Sequence, residues 1–208
     1  MLTEERFLEI LKIVNTKKSV TVQELKEILD TSESTIPVSY THLAGKKLHG
    51  KRNHINKFKK TYEDWSYEPL SDENMEECFQ MALKWRNENG CEDNPEKNAE
   101  MCVALNALRL YKEMGQVGGV LRVNKEVAAF TIGERLCDDT FVVHIEKAFA
   151  DIDGAYPMIN QQFVQHECME YRYVNREDDA GSEGLRKAKL SYRPAFLEQK
   201  GIVTKRGV

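Results

Sequence analysis

The chain has 208 residues, of which 41% are hydrophobic and 31% are charged, and its formal net charge is −4. These values are typical of a soluble protein of one or two domains, and they argue against a surface that binds nucleic acid over its whole extent. Five scattered cysteines form no CxxC pair, which favours reduced thiols over a disulfide framework or a metal site. No apolar run approaches about 18 residues and no signal peptide is recognisable, so we expect neither export nor a membrane span.

Residues 1–36 show a helix-turn-helix pattern. Apolar residues from Leu2 to Val14 recur at helical spacing, and Thr21 with Glu24 forms a capping box for a second helix. A third helix is predicted to start within residues 31–36. The stretches MLTEERFLEILKIVN, SVTVQELKEIL and SESTI resemble the N-terminus of DeoR-type winged-helix regulators.

Pro37 limits that resemblance, because proline cannot continue the third helix. The DNA-contacting residues of the DeoR family therefore have no counterparts here. Three interpretations stay open for residues 1–36. They form a partial helix-turn-helix that binds DNA, they form a small helical appendage, or they result from an accidental fusion in which residues 37–43 come from sequence assembly. The accidental fusion is favoured.

Residues 37–61 are interpreted as a junction and a basic connector. The stretch AGKKLHGKRNHINKFKK contains seven lysines and arginines and no acidic residue, and we expect a helix to begin near Gly50. Basic residues interleaved with apolar and aromatic ones suit a phosphate backbone, whereas a solvated helix face is the alternative. The candidate nucleic-acid-binding residues are Lys51, Arg52, Lys57 and Lys59.

Residues 62–208 are predicted to form one α+β (α/β-like) domain. The predicted order is strand, two helices, three strands, helix, strand, helix and strand. The predicted strands cover residues 65–70, 118–123, 127–132, 140–147, 171–174 and 202–204. The predicted helices cover residues 71–87, 94–115, 155–168 and 182–191.

This order is that of the GNAT acyltransferase fold, in which helices flank a mixed central sheet. The motifs KKLHGKRNHINKF, GGVLRV, AAFTIGE, TFVVHIEKA, DIDGAYPMINQQF, YVNREDD and GLRKAKLSYRP resemble the C-terminal domain of the phosphatidylglycerol lysyltransferase family over about residues 45–200. The resemblance implies transfer of an aminoacyl group from aminoacyl-tRNA to an amine or hydroxyl acceptor, which is a phospholipid in the membrane-bound members and unassigned in many short members.

Two features depart from the family pattern. Family members usually carry two tandem GNAT-like halves, and we expect this sequence to contain the second half alone. The link Asp151–Ala155 lacks the glycine-rich loop with which acetyl-CoA users bind pyrophosphate. We therefore expect no cofactor, with aminoacyl-tRNA as the donor rather than acetyl-CoA.

The polar tip after the strand at residues 171–174 is the first candidate site. Glu177 and Asp178 are predicted to bind the α-ammonium of the donor or to act as base, and Asn175 to fix a carbonyl. Arg176 is predicted to meet phosphate. The alternative is that this tip caps the following helix.

That helix supplies two further candidates. Leu185, Ala188, Lys189 and Tyr192 fall at helical spacing on one face, which predicts that Lys189 lies on the buried side as an oxyanion or phosphate partner. The alternative is that its ammonium reaches the rim. Tyr192 is either a core residue or a proton donor.

Three substrate-binding candidates complete the site. Strand alternation predicts that Phe141, Val143 and Ile145 face one way, and that His144 and Glu146 face the other way, into a cleft or into solvent. Asp153 is either a turn residue or part of the donor site.

The sequence therefore predicts a bacterial, cytoplasmic acyl- or aminoacyltransferase domain. The alternatives are a DeoR-type DNA-binding regulator with a ligand-sensing C-terminal domain, and a catalytically inactive binding module. DNA is not an expected partner of the leading interpretation.

Overall fold

The computed structural model describes residues 35–37, 48–177, 179 and 182–197. The predicted helices within residues 1–34, the predicted strand at 202–204 and the candidate Asp178 lie outside these residues. Residues 34–195 form one compact unit, and residues 1–33 with 196–208 form a second unit of which the structure describes residues 196 and 197. The fold described below is that of the first unit.

The described elements follow the predicted order. The strands are β1 (Thr35–Pro37), β2 (Trp65–Pro69), β3 (Val117–Val123), β4 (Glu126–Arg135), β5 (Thr140–Ala148) and β6 (Tyr173–Asn175). The helices are α1 (His49–Thr61), α2 (Met75–Glu88), α3 (Pro95–Leu110), α4 (Ala155–Glu167) and α5 (Glu183–Leu190).

The six strands form one mixed sheet in the order β1-β6-β5-β4-β3-β2. All neighbours are antiparallel except β5 and β6, which are parallel. The edge position predicted for the strand that ends at Pro69 is confirmed, since proline cannot donate to a ladder on both sides. The short β3–β4 connection is a two-residue turn with positive φ at Asn124 and Lys125, as a type I′ hairpin requires.

Strand β1 corrects the prediction for residues 35–37. Residues 35 and 36 belong to a β-strand rather than to a third helix, and Ile36 pairs with Val174 of β6. The backbone groups of this segment find hydrogen-bond partners on a strand that is distant in sequence. Local helix signals give no information about such pairing. The predicted boundary at residue 36 falls inside this strand.

Two apolar cores lie on opposite faces of the sheet. The first core is formed under α1 and α4, with Phe58, Met158 and Phe163 fully buried. The second core is formed under α2 and α3, with Met101 and Leu108 fully buried. The apolar face predicted for α1 is confirmed by the burial of Ile55 and Phe58.

Several predicted boundaries shift. Asn94 caps α3 as predicted, accepting a hydrogen bond from the Lys97 amide at 3.0 Å, but the helix ends at Leu110 rather than Gly115. Helix α2 begins at Met75, because Asn74 turns back to accept a hydrogen bond from the Ser71 amide at 2.8 Å. Strand β6 begins two residues later than predicted.

Strand β5 contains a bulge that overturns part of its predicted alternation. Ile132 of β4 pairs with Ile145, whereas the next residue, Gly133, pairs with Val143, so His144 is an extra residue on β5. Phe141 and Val143 therefore join the first core, whereas Ile145 joins the second. The prediction that all three face one way is wrong at Ile145.

Candidate active site where two parallel strands diverge

The parallel strands β5 and β6 share a short ladder and then separate. Three residue pairs join them, the last between Val142 and Asn175, and β5 continues six residues further to Ala148. The chain beyond β6 leaves the ladder at Arg176. A cleft at the carboxyl ends of parallel strands is a common location for ligand sites in α/β proteins. Side chains of β5 and of the segment after β6 meet at this point.

His144 lies between two carboxylates at the bulge. Its Nδ1 is 2.6 Å from Glu177 Oε1, and its Nε2 is 2.7 Å from Glu134 Oε1. Hydrogen bonding to Glu177, and then to Glu134, raises the pKa of His144 despite the opposing effect of burial. An imidazolium donates from both ring nitrogens, so both contacts are satisfied when His144 is protonated.

Glu177 reaches His144 from an unusual backbone conformation. Its φ is +55°, in the left-handed region, and its amide donates to Asn175 Oδ1 at 2.7 Å. Asn175 itself is buried. Its carboxamide oxygen therefore holds the turn that directs Glu177 towards His144.

Arg176 and Glu146 form a buried ion pair across the divergence. Arg176 Nη2 donates to Glu146 Oε1 at 2.6 Å, and the other carboxylate oxygen accepts from Asn160 Nδ2 of α4 at 2.7 Å. The side chains of Arg176 and Glu146 are 10% and 11% exposed. The arginine that sequence reasoning assigned to phosphate is thus turned inward, towards a carboxylate predicted to lie in the same cleft.

Tyr192 lies between two cations. Its ring centroid is 4.7 Å from Arg176 Cζ and 4.0 Å from Lys51 Nζ. Burial raises the pKa of the Tyr192 hydroxyl to about 12, so it remains protonated at neutral pH. Burial and the nearby Arg176 charge lower the pKa of Lys51 to about 8, although Glu146 acts in the opposite direction.

Lys189 is only partly where the sequence placed it. The side chain is half-buried, and its Nζ donates to the Arg176 carbonyl at 2.5 Å. Helix α5 contains no buried residue, and Leu185 is 41% exposed, so the prediction of a buried face through Leu185 and Ala188 is wrong. An eight-residue helix at the rim offers its apolar residues too little neighbouring surface to bury them.

A groove of about 800 Å³ runs between the N-terminal half of α1 and α5. Cationic residues dominate its walls, together with one acid, Glu183. The lining residues are Gly50, Lys51, His54, Glu183, Arg186, Lys187, Leu190, Ser191 and Arg193. Sequence reasoning found Lys51 but missed the basic residues of α5, although Arg186 and Lys187 in GLRKAKL were a visible signal.

The four predicted nucleic-acid-binding residues do not share one surface role. Lys51 lines the groove, and Arg52 is partly buried. Lys57 donates to Asp153 at 2.5 Å, and Lys59 lies 5.5 Å from the Trp65 ring centroid.

Asp153 joins α1 to the loop before α4. Its contact with Lys57 lowers the pKa of the Asp153 carboxyl, and His54 lies 3.9 Å away. Asp153 is thus paired with side chains of α1, and its assignment to the donor site stays a prediction.

The described part of the chain contains neither a candidate metal site nor a helix that could span a membrane. No group of three or more His, Cys, Asp or Glu side chains there could hold a metal ion. No helix among the same residues is long and apolar enough to cross a membrane.

The chain is similar to several known proteins. A conserved protein of unknown function from Bacteroides thetaiotaomicron is 35% identical, with a TM-score of 0.78, over 92% of this chain and 72% of that one. An uncharacterized protein of Mycoplasmoides gallisepticum is 26% identical over 168 residues, which are 77% of this chain and 52% of that protein. This chain therefore spans about half the length of that curated relative.

A more distant structural neighbour supports the fold. The C-terminal domain of an Agrobacterium fabrum protein, provisionally described as a lysylphosphatidylglycerol synthetase, is 15% identical with a TM-score of 0.56, over 80% of this chain and 58% of that one. The predicted α+β, GNAT-like class is confirmed.

The family match covers almost the whole chain. The sequence profile described as "Phosphatidylglycerol lysyltransferase, C-terminal" matches residues 3–203. It includes the residues in which we saw a DeoR-type pattern, and that interpretation gains no support from the comparisons. The chain therefore belongs to the phosphatidylglycerol lysyltransferase C-terminal family.

Proposed function

We propose that this chain transfers an aminoacyl group from aminoacyl-tRNA to an amine or hydroxyl acceptor, either a phospholipid headgroup or a small molecule. The observation that carries the proposal is the divergence of β5 and β6, which is bridged by the pairs His144–Glu177 and Arg176–Glu146. The family to which the chain belongs supports the class of reaction. A donor of this kind is made in the cytoplasm, where we expect the reaction to occur.

The cluster around His144 suits the charged amine of the donor. Two carboxylates, Glu134 and Glu177, surround one imidazolium, so the cluster keeps a net negative charge when His144 is protonated. An α-ammonium is attracted to such a cluster. Glu177 lies on the segment that follows β6. We assign this carboxylate the contact with the α-ammonium of the donor.

The other candidates hold the cleft in shape. Asn175 fixes the turn at Glu177, and Lys189 fixes the carbonyl of Arg176. We treat both as positioning residues, because each acts on the backbone of the tip. The acceptor then attacks the ester carbonyl directly, the ester C–O bond breaks, and the tRNA leaves through its ribose hydroxyl, which gains the proton that the acceptor loses. No covalent enzyme intermediate is needed.

The test uses the purified chain with tRNA charged with radiolabelled amino acids, including lysine. Phosphatidylglycerol vesicles serve as one acceptor and a pool of small amines and alcohols as another. We expect label to move from tRNA to an acceptor, and we expect Glu177→Gln to reduce kcat/KM about 100-fold, since it removes the charge that binds the donor. Glu113→Gln, an exposed carboxylate in the turn after α3, is the matched control.

A binding module without turnover is the second candidate. The observation in its favour is that Arg176 is held at both its side chain, by Glu146, and its backbone carbonyl, by Lys189. It predicts that charged tRNA binds without transfer of label to any acceptor. Equal transfer by the parent chain and Glu177→Gln would contradict the site assignment made above.

A further inference from the structure

Among the described residues, two lysines line the groove, Lys51 and Lys187. Of these two, Lys51 packs against a buried aromatic ring. The Tyr192 ring lies under its ammonium at 4.0 Å, and the groove opens beside it. We propose that the Lys51 amine is a nucleophile that accepts an acyl group from a phosphorylated acyl donor held in this groove. The product is an amide on the Lys51 side chain, a modification separate from the transfer reaction proposed above.

Burial, and then the charges around Lys51, disfavour its protonated form. Arg176 lies on the same tyrosine ring and contributes a second positive charge, which Glu146 offsets in part. No carboxylate of the described residues forms an ion pair with Lys51. The groove walls add His54 from α1, with Glu183, Arg186 and Lys187 from α5, and Arg193 after it.

The consequence is an amine that is partly neutral under ordinary conditions. With the pKa of Lys51 lowered to about 8, about one amine in ten is neutral at pH 7, against about one in 2,500 for an ordinary lysine. The neutral amine is the form that attacks a carbonyl. The ring of Tyr192, itself 5% exposed, packs against the Lys51 side chain beside the groove.

The remaining cations suit a phosphorylated donor. Arg186 is engaged by Asp179, with Nε to Oδ2 at 2.5 Å. Lys187 and Arg193 line the groove as exposed cations, which attract a phosphate group. The groove thus combines positive charge for a phosphate with an amine that can react.

The step balances without another reactant. The Lys51 nitrogen attacks the carbonyl carbon of the acyl donor, and a C–N bond forms as the C–O bond to the phosphorylated group breaks. The electron pair of that bond leaves with the oxygen, and the nitrogen loses a proton to water. This chemistry needs no acceptor substrate, so it can occur in a chain that carries out no aminoacyl transfer.

Acetyl phosphate is the probe. The purified chain is treated with it at pH 7, and the acetylation rate of each lysine is followed by quantitative mass spectrometry. Lys187 is the matched control because it lines the same groove, and Lys59 is the control on the same helix. We expect Lys51 to react at least about tenfold faster than either.

Two further measurements sharpen the test. The rate at Lys51 should level off above about pH 9, where nearly all of its amine is neutral, whereas an ordinary lysine keeps gaining reactivity to higher pH. Inorganic phosphate should slow acetylation of Lys51 and leave Lys59 unchanged. Lys51→Arg, which keeps a cation over Tyr192, should remove the fast-reacting site and leave the other rates as they were.

Three outcomes would overturn the proposal. Acetylation of Lys51 at the rate of Lys59 would show that its amine is ordinary. Faster acetylation of Lys187 than of Lys51 would show that the reactive lysine lies on α5. Insensitivity of the Lys51 rate to inorganic phosphate would show that the groove does not bind the phosphate group of the donor. The first two results are obtained on the parent chain, so they do not depend on whether a variant folds.

Discussion

His144 gains its two carboxylate contacts from residues far apart in sequence. Glu134 lies on β4 and Glu177 follows β6, and both are within hydrogen-bonding distance only in the folded chain. The imidazolium is therefore more stable in the folded state than in the unfolded state. By linkage, its contribution to stability is complete below the unfolded pKa of about 6.5 and is lost as pH rises through the folded pKa.

We predict a pH-dependent cost for His144→Ala. The substitution should lower the free energy of unfolding by about 1 kcal/mol at pH 5.5, and the loss should shrink towards pH 9. Urea unfolding of both chains across this range measures the difference. An NMR titration should give His144 a pKa above the ordinary histidine value of about 6.5. A cost that stays constant across the range would contradict the linkage.

The Arg176–Glu146 pair makes a different prediction because it is buried. Glu146→Ala leaves the Arg176 charge with 10% exposure and without this partner, so we expect a loss of about 3 kcal/mol in the free energy of unfolding. The double variant Glu146→Leu/Arg176→Met should recover most of that loss, since it removes both charges. Denaturant unfolding measures each value, and Glu113→Ala should change it by less than about 0.5 kcal/mol.

At the scale of elements, Gly133 is the residue that permits the bulge in β5. A Cβ at this position would lie 2.3 Å from the Val142 carbonyl oxygen and 2.6 Å from the Phe141 ring. Contact with a backbone atom cannot be relieved by a side-chain rotation. The close approach of β4 and β5 therefore requires glycine next to the position where His144 is inserted.

We predict opposite effects for two glycine-to-alanine changes. Gly133→Ala should lower the free energy of unfolding by about 2 kcal/mol or more, and it should lower the pKa of His144 by disturbing the bulge. Gly184→Ala is the control within α5, where the nearest atom to a Cβ is Ser182 Oγ at 4.0 Å, and it should add a few tenths to about 1 kcal/mol. Thermal unfolding and NMR titration measure both effects.

The elements whose signals are local were predictable. Asn94 and Pro95 mark the start of α3, and the apolar spacing of Ile55 and Phe58 gives the buried face of α1. The element order follows from such signals, and the family resemblance rests on the motifs between them. These features depend on residues a few positions apart.

The features that were missed depend on distant residues. The bulge at His144 depends on the approach of Gly133, and the role of Lys57 depends on Asp153, 96 positions away. Helical spacing predicted that Leu185 lies on a buried face. Burial also requires another element packed against that face, and helical spacing does not show whether one is present. The candidate residues at the tip were identified by type, and their pairings appeared only in the structure.

At the scale of the whole molecule, β1 lies at the edge of the sheet that carries the candidate site. It pairs with β6, the strand from which Asn175 and Glu177 are directed to the candidate site. This pairing gives residues 35–37 a structural role inside the unit of residues 34–195. The interpretation of residues 37–43 as an accidental junction can be tested by removing β1 and measuring the effect on β6.

We predict that two truncated chains, whose lengths differ by only four residues, show different hydrogen exchange at β6. A chain that begins at residue 34 keeps β1, and one that begins at residue 38 lacks it. Hydrogen exchange of the β6 amides should be at least about tenfold faster in the shorter chain, because one ladder is lost. Amides of β3 serve as the internal control. Equal exchange in both chains would favour an unrelated N-terminal appendage.

Each of the two cores described above has one of the two tryptophans of the chain packed against it. Trp65 packs against the first core with its ring centroid 6.4 Å from that of Phe58, and Trp85 packs against the second core under the Lys147 ammonium at 4.2 Å. The molecule therefore has an intrinsic fluorophore on each face of its sheet. Replacing one tryptophan with phenylalanine leaves an emission signal from the other face, so the order in which the two layers open can be observed optically without an added dye.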